Sequence, residues 1–210
     1  MLQRLPIVLV LASGRGERFL ASGGTVHKLQ APLAGRAVLE RTLDAVRASG
    51  LPWHLEGGGH PGMGDSIASA VRATADAAGW LVLPGDLPLV LPGSLQQVAE
   101  RLMADERTAD VTPTLSQFAV VPRHAGAKGH PVGFTSGCRA ALLALAGEHG
   151  AAPVLRRLQA ADAVIEMEIH DIGIVTDIDT LDDLRRAEAL YIERLEQARR
   201  PDQQPPIRSA

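Results

Sequence analysis

Three short stretches of the chain carry residue types suited to binding and moving phosphate. The first is Leu11-Ala12-Ser13-Gly14-Arg15-Gly16-Glu17-Arg18-Phe19, with Lys28 further on. Glycines let backbone N–H groups approach an anion closely. Arg15, Arg18 and Lys28 could neutralise a polyphosphate chain. The same composition also suits an exposed loop with solvated arginines. The second is Leu83-Pro84-Gly85-Asp86-Leu87-Pro88. A carboxylate fixed between prolines at the end of a buried strand can hold a hard cation such as Mg²⁺; as a turn residue it can equally cap the next segment. The third is Thr176-Asp177-Ile178-Asp179-Thr180-Leu181-Asp182-Asp183-Leu184. Asp177 and Asp179 are two apart, so in extended chain they point the same way and could share a cation with Asp86. Thr180 or Asp179 also suits the N-cap of a helix, and Asp182 and Asp183 suit its first turn.

Two further stretches bear on binding. Gly57-Gly58-Gly59-His60-Pro61-Gly62-Met63-Gly64-Asp65-Ser66 is a glycine-rich approach to a helix, suited to a nucleotide's ring or phosphate or to a plain flexible connection. In Lys128-Gly129-His130-Pro131-Val132-Gly133-Phe134, His130 could contact a ligand, although a structural role beside a Pro turn is the simpler reading. His27, His54, His60, His124, His149 and His170 show no metal-ligand spacing. Gly14-x-Gly16-x-x-Phe19 lacks the third glycine of a dinucleotide fingerprint, and no Gly-Lys-Ser/Thr is present. Both points disfavour a Rossmann oxidoreductase and a P-loop enzyme.

The elements that must position these residues are legible as apolar patterns. Ile7 to Leu11 is a short continuous run followed by glycine, as in a strand buried on both faces of a parallel sheet. Leu81-Val82-Leu83 reads the same way. Val111 to Leu115 and Phe118 to Val121 read as strands, and Ala163 to Ile169 alternates as a half-exposed peripheral strand. Ile172-Gly173-Ile174-Val175 is a last apolar run, read as a strand end. Helical spacing recurs at Val38, Leu39, Leu43 and Val46, ending near Gly50. It recurs at Ile67, Val71, Ala75 and Ala78, with Asp65 and Ser66 at the N-cap, and again at Leu95, Val98 and Leu102 after Pro92-Gly93-Ser94. Cys138, Leu142 and Leu145, then Val154, Leu155 and Leu158, and finally Leu184, Ala187, Tyr191 and Leu195 complete the set. Strands alternating with helices imply an α/β fold with a mostly parallel sheet, whose ligands bind outside the carboxyl ends of the strands. The expected organisation is one domain over residues 1–199 and a disordered tail over 200–210.

Composition narrows the class. The chain has 210 residues, 46% hydrophobic and 21% charged, with a net charge of −3. That suits a globular protein and gives no basic footprint for nucleic acid or anionic membrane. The single cysteine, Cys138, excludes an internal disulfide framework and a Cys-based zinc site; it reads as a small buried hydrophobe, compatible with a reducing cytoplasm. The apolar run ending at Ala12 is too short to span a bilayer and lacks a cleavage signature, so no signal peptide is expected.

Taken together, Leu11-Ala-Ser-Gly-Arg-Gly-Glu-Arg18, Lys28-Leu, Pro32-Leu-Ala-Gly35 and Val38-Leu resemble the opening of the nucleotidyltransferases with a glycosyltransferase-A-like fold. Within these the chain looks most like the molybdenum cofactor cytidylyltransferase branch of the MobA-like family. Gly62-Met-Gly-Asp-Ser66, Gly85-Asp-Leu-Pro88, Gly129-His-Pro-Val-Gly-Phe134, Leu145-Ala-Gly-Glu-His-Gly-Ala151 and Asp177-Ile-Asp-Thr180 follow in the same order. The resemblance covers nearly the whole chain and implies a three-layer α/β/α, Rossmann-related architecture. It implies that Ala12, Ser13, Gly14, Arg15 and Gly16 wrap a triphosphate, with Lys28 and Arg18 beside the reacting phosphate. Asp86 and Asp179 would hold Mg²⁺, helped by Asp177, while Gly62, Gly64 and Ser66 would contact the nucleoside and His130 would face the acceptor.

The implied reaction transfers CMP from CTP to a phosphate monoester, molybdopterin, with release of pyrophosphate in the cytoplasm. A molybdoenzyme or its maturation factor is the implied protein partner. Leu-Ala-Ser-Gly is nearer the Leu-Ala-Ala-Gly of the CTP-using branch than the Leu-Ala-Gly-Gly of the GTP-using one. The rivals are GTP with molybdopterin, another NTP with a sugar or alcohol phosphate, and a catalytically silent escort for the cofactor. The chain departs from the family pattern in three places: an inserted Leu20 to His27, a short Gly50 to Gly62 stretch that lacks part of the usual second strand, and Leu181 where Pro is common.

Overall fold

The computed structural model describes residues 5–109 and 116–199. Its first strand, β1 (Ile7–Leu11), is the continuous apolar run. A five-residue helix α1 (Glu17–Ala21) follows the glycine loop. Lys28 opens a single 3-10 turn, Lys28–Gln30. Next comes a small hairpin, β2 (Pro32–Leu33) and β3 (Arg36–Ala37), whose turn residues Ala34 and Gly35 both have positive φ. Then follow α2 (Val38–Ala48), β4 (Trp53–Glu56), α3 (Met63–Ala73), β5 (Gly79–Pro84) and α4 (Pro92–Ala109). The second half comprises β6 (Ala119–His124), β7 (Ala127–Lys128), β8 (Val132–Thr135), α5 (Arg139–Leu143), α6 (Ala152–Ala160), β9 (Val164–Glu168) and α7 (Leu181–Arg199). The strand expected over Val111 to Leu115 and the tail over 200–210 lie outside the described residues.

The sheet runs β4-β1-β5-β8-β6, with β9 beside β6 and β7 extending the β6 hairpin. β4, β1, β5, β6 and β9 share one direction; β8 and β7 oppose it. Side chains alternate across the central strands as a period of two requires. Val8, Val10, Leu81 and Leu83 join α2 and α4 in one core cluster. Leu9, Leu11, Trp80 and Val82 join α3, α5 and α6 in another. A sheet covered on both faces explains why β1 and β5 read as unbroken apolar runs. The result is the expected three-layer α/β/α arrangement. Cys138 is fully buried. No helix among the described residues is long and apolar enough to cross a membrane.

Several local expectations are corrected. Helix α3 ends at Ala73, so Ala75 and Ala78 lie beyond it, and Gly62 rather than Asp65 or Ser66 holds its N-cap position. The Asp65 carboxylate instead accepts from the Gly147 amide at 2.8 Å. The Ile172–Val175 run is a 3-10 turn, not a strand, because the Asp171 side chain caps it by accepting from Gly173 N. The second strand is present as β4, paired in parallel with β1. It lies at the sheet edge with Trp53 and Leu55 exposed.

Asp171 is a buried brace. Its carboxylate accepts from Leu91 N, Ser94 Oγ, Gly173 N and Arg194 Nη2, each at 2.8–2.9 Å. It therefore joins the start of α4, the middle of α7 and the turn leading to Asp177. Asp171→Ala leaves three donors and a guanidinium without their acceptor. The expected cost is about 3 kcal/mol, read as a melting midpoint lower by on the order of 10 °C. An unchanged midpoint would show that the brace is not structural.

Candidate active site

Register places the site. Leu11 lies opposite Glu56 on one side and Pro84 on the other, so the carboxyl ends of β4, β1 and β5 are level. Ala12 N donates to Glu56 O and Gly85 N to Leu11 O, both at 2.8 Å. Thr42 Oγ1, buried on α2, donates to Gly85 O at 3.0 Å and fixes the turn before Asp86. The distant acidic segment arrives through one backbone bond, Ile178 N to Asp86 O at 3.1 Å. A third core cluster around Phe19, Leu29, Leu33, Leu89, Ile178 and Ala187 seats it against the Lys28 turn.

The centre of the site is an ammonium between two carboxylates. Lys28 Nζ lies 2.6 Å from Asp86 Oδ2 and 2.8 Å from Asp179 Oδ1. Arg18 Nη1 donates to the other Asp179 oxygen at 3.1 Å. The Lys28 and Asp86 side chains are 13% and 14% exposed, and Asp179 is 35% exposed. Burial alone would draw the Lys28 pKa down, but Asp86 and Asp179 outweigh it and hold the ammonium above the ordinary lysine value. The Lys28 hydrogen bond, opposed by partial burial and reinforced by Arg18, holds Asp179 below the usual carboxylate range. Asp177 is half-buried; burial, with the charges of Asp86 and Asp179, pushes its carboxyl up. Asp86 Oδ1 is buried and has no hydrogen-bond partner.

This trio lines a cleft of about 420 Å³. Ser13, Gly14, Arg15, Gly16 and Arg18 line it, as do Lys28, Gly62, Asp86 and Asp179. Ala12, Gly64, Ser66, Asp177 and His130 are not among its lining residues. Ser66 reaches it indirectly, through a 2.5 Å hydrogen bond to Ser13 Oγ. Gly62 and Gly64 have a packing reason: a Cβ at either would lie within 2.8 Å of the Ala146–Gly147 backbone. Gly64 N donates to Gly147 O. The Gly62–Ser66 and Leu145–Ala151 motifs thus dock on each other. Burial holds the half-buried His130 imidazole below its ordinary value, outweighing the Val82 backbone contact and the Asp86 charge, which both act to raise it.

His60 and Glu148, which the sequence offered only as members of the Gly57–Ser66 and Leu145–Ala151 stretches, line the cleft. His60 Nε2 is 3.0 Å from Glu56 Oε1. Burial would raise the Glu56 carboxyl, but His60 and the Gly58 amide hold it below its ordinary value. A lone histidine and glutamate four apart carry no motif signal. Thr180 does cap α7: its N and Oγ1 donate to Asp183 Oδ2 at 2.7 Å, and Asp183 N donates back to its Oγ1. This is a reciprocal capping box. Asp179 therefore stands just outside the cap, free to meet Lys28.

The profile of the MobA-like NTP transferase domain matches residues 45–163, more than half of the chain. The chain belongs to the MobA-like NTP transferase family. Its activity class is that of the nucleotidyltransferases. The MobA-like match begins past the glycine loop and stops short of Asp179, so the fold is what brings those segments to the MobA-like core. A nucleotidyl transferase from Methanothermobacter thermautotrophicus, Mth528, is 20% identical with a TM-score of 0.71, covering 91% of this chain and all of its own. Rv0371c from Mycobacterium tuberculosis, in complex with manganese, is 23% identical with a TM-score of 0.59, covering 88% and 98%. Molybdopterin-guanine dinucleotide biosynthesis protein A from Archaeoglobus fulgidus is 19% identical with a TM-score of 0.53, covering 89% and 99%. These likenesses show the shared glycosyltransferase-A-like fold. No curated protein matches the chain by sequence.

Proposed function

We propose that the protein transfers a nucleoside monophosphate, CMP from CTP, to the phosphate monoester of molybdopterin. The observation that carries this reading is the Lys28 ammonium held between Asp86 and Asp179 in a cleft that the glycine loop also lines. The acceptor's phosphate oxygen attacks the α-phosphorus, the bond to the bridging α–β oxygen breaks, and pyrophosphate leaves with that electron pair. The nucleophile belongs to the acceptor, so the chain need only position the reactants and stabilise charge. That is consistent with the absence of a Ser-His-Asp or Cys-His set among the residues lining the cleft.

The cleft residues share the work in this reading. The amides of Ser13 to Gly16, with Arg15 and Arg18, hold the triphosphate. Lys28 turns from its carboxylates to the charge that develops on the α-phosphate. Gly62 and the α3 N-terminus frame the nucleoside, whereas His130 and the segment around it stand outside the cleft lining and take no part in this reading. Asp86 and Asp179 suit a divalent cation: both offer hard oxygens within reach of one centre, and Asp86 Oδ1 is an orphaned buried acceptor. Among the described residues no three His, Cys, Asp or Glu side chains form a complete metal cage. Mg²⁺ is the cation proposed because it needs few protein ligands, keeping its waters and taking substrate phosphate oxygens. When bound, such an ion supplies Lewis-acid polarisation of the phosphates. The manganese in the mycobacterial neighbour supports a divalent site in this fold.

CTP is favoured by the Leu-Ala-Ser-Gly opening; the archaeal guanine dinucleotide protein makes GTP the first alternative. The test is a thermal-shift panel of CTP, GTP, ATP and UTP with and without Mg²⁺. The preferred nucleotide at a hundred times its Kd adds about 2.7 kcal/mol of stability, a rise of roughly 5–10 °C. Pyrophosphate release is then measured with molybdopterin present. A nucleotide-dependent shift without pyrophosphate release would turn the assignment toward other acceptors. Pterin binding with neither would turn it toward an escort role.

A further inference from the structure

His27 belongs to the inserted Leu20–His27 segment and has no place in the reading above. Its ring makes two polar contacts. Nδ1 accepts from Leu29 N at 3.3 Å, and Nε2 lies 2.7 Å from Gly14 O. An Nδ1 that accepts carries no proton, so in the neutral ring Nε2 carries it and donates to Gly14 O. The ring also backs onto Gly16, where a Cβ would come within 3.3 Å of Nε2. Gly16 itself has φ +66, the left-handed region that glycine tolerates.

The consequence lies in the peptide that joins Gly14 to Arg15. A trans peptide is planar, and its C=O and N–H point in opposite directions. Gly14, Arg15 and Gly16 line the cleft, whereas His27 is not among its lining residues. The Gly14 carbonyl is directed at the imidazole, and planarity turns the Arg15 N–H the opposite way, away from His27. Flipping this peptide would face an anionic ligand with carbonyl lone pairs instead of a donor. The rest of the insertion is anchored on the other arm of the site. Ser22 Oγ accepts from Leu181 N at 3.0 Å, and Gly23 packs against the Leu181 side chain. A proline at 181 could not make that bond, so the insertion and the departure from Pro at 181 fit together.

We propose that His27 is a positioning residue that locks the Gly14–Arg15 peptide with its N–H toward the phosphates of the bound nucleotide. The inference rests on the triphosphate reading of the glycine loop. The test uses inorganic tripolyphosphate as the probe, titrated calorimetrically into the full chain. His27→Phe keeps a ring against Gly16 and removes the donor. His27→Gln restores a donor to Gly14 O. The expected result is roughly ten- to a hundredfold weaker tripolyphosphate binding for His27→Phe, and binding within about threefold of wild type for His27→Gln. The nucleotide KM rises in step with the loss for His27→Phe. Should His27→Phe fail to fold, His27→Leu makes the same comparison. Wild-type-like binding by the donor-free variant, or a glutamine variant as weak as it, overturns the inference while leaving the loop's role intact. Absence of tripolyphosphate binding by the wild type overturns the triphosphate reading, and this one with it.

Discussion

Lys28→Met is expected to lower the rate of pyrophosphate release by about 10²–10³-fold, the loss typical of one preorganised donor to a developing charge. Methionine keeps the unbranched apolar stem and lacks only the terminal ammonium, so the loss would belong to the charge. The same variant has a second signature in stability. Without the ammonium, Asp86 and Asp179 face each other across a partly buried gap. Breaking a fully buried pair costs roughly 3–5 kcal/mol. Asp179 keeps a third of its surface in water, so the expected loss is on the order of 2 kcal/mol. Its pH dependence follows from the direction of the shifts. Lys28 holds Asp179 below its ordinary value, so the pairing stabilises the fold above that value and is lost as pH falls through the lowered one. The lysine side of the pair, raised in the fold, holds until pH climbs through the lysine range. The wild-type and Lys28→Met melting midpoints should therefore lie furthest apart near neutral pH and converge in acid. Equal turnover, or a gap that does not close on acidification, would remove Lys28 from the centre of the site.

How much of this was legible in the sequence depends on where each residue's partners lie. β1 and β5 were readable because both faces are covered, which leaves an unbroken apolar run with no competing pattern. β4 was not: Trp53 and Leu55 point outward at an edge while Glu56 turns inward, inverting the usual signal. Ile172–Val175 shows the opposite failure. Four apolar residues suit a strand or a turn equally, and Asp171, whose type and spacing match no motif, decides for the turn. At the site, Asp86 and Asp179 stood out because they follow strand and loop boundaries. The seat of Lys28 between them did not, since it depends on the Phe19, Leu29 and Ile178 packing that no local window contains. Gly62 and Gly64 were read through a possible ligand, whereas their tightest neighbours are the Ala146 and Gly147 backbone. His27 and the Glu56–His60 pair carry no pattern at all. Each acquires meaning through one hydrogen bond to a neighbouring loop.

Asp86→Asn separates the two roles that an aspartate at the end of β5 can have. As a turn residue, its work would be steric, and an isosteric amide would do it nearly as well. The structure points elsewhere. Asp86 takes the Lys28 ammonium on Oδ2, while Oδ1 is buried with no partner. The backbone around it is held by other bonds, Thr42 Oγ1 to Gly85 O and Ile178 N to Asp86 O. Asparagine would keep that backbone, offer its carbonyl to Lys28 and remove the charge. The fold should survive, with a melting midpoint within a few degrees of wild type. Turnover should fall by at least about 10²-fold, and the stabilisation that Mg²⁺ adds to the nucleotide-bound protein should disappear. The two readouts are independent. Loss of turnover with the Mg²⁺ effect intact would leave Asp86 as the partner that orients Lys28 and move the cation elsewhere. Retention of both would make this carboxylate a turn residue after all, and a cleft without its central anion could not be the site of phosphoryl chemistry.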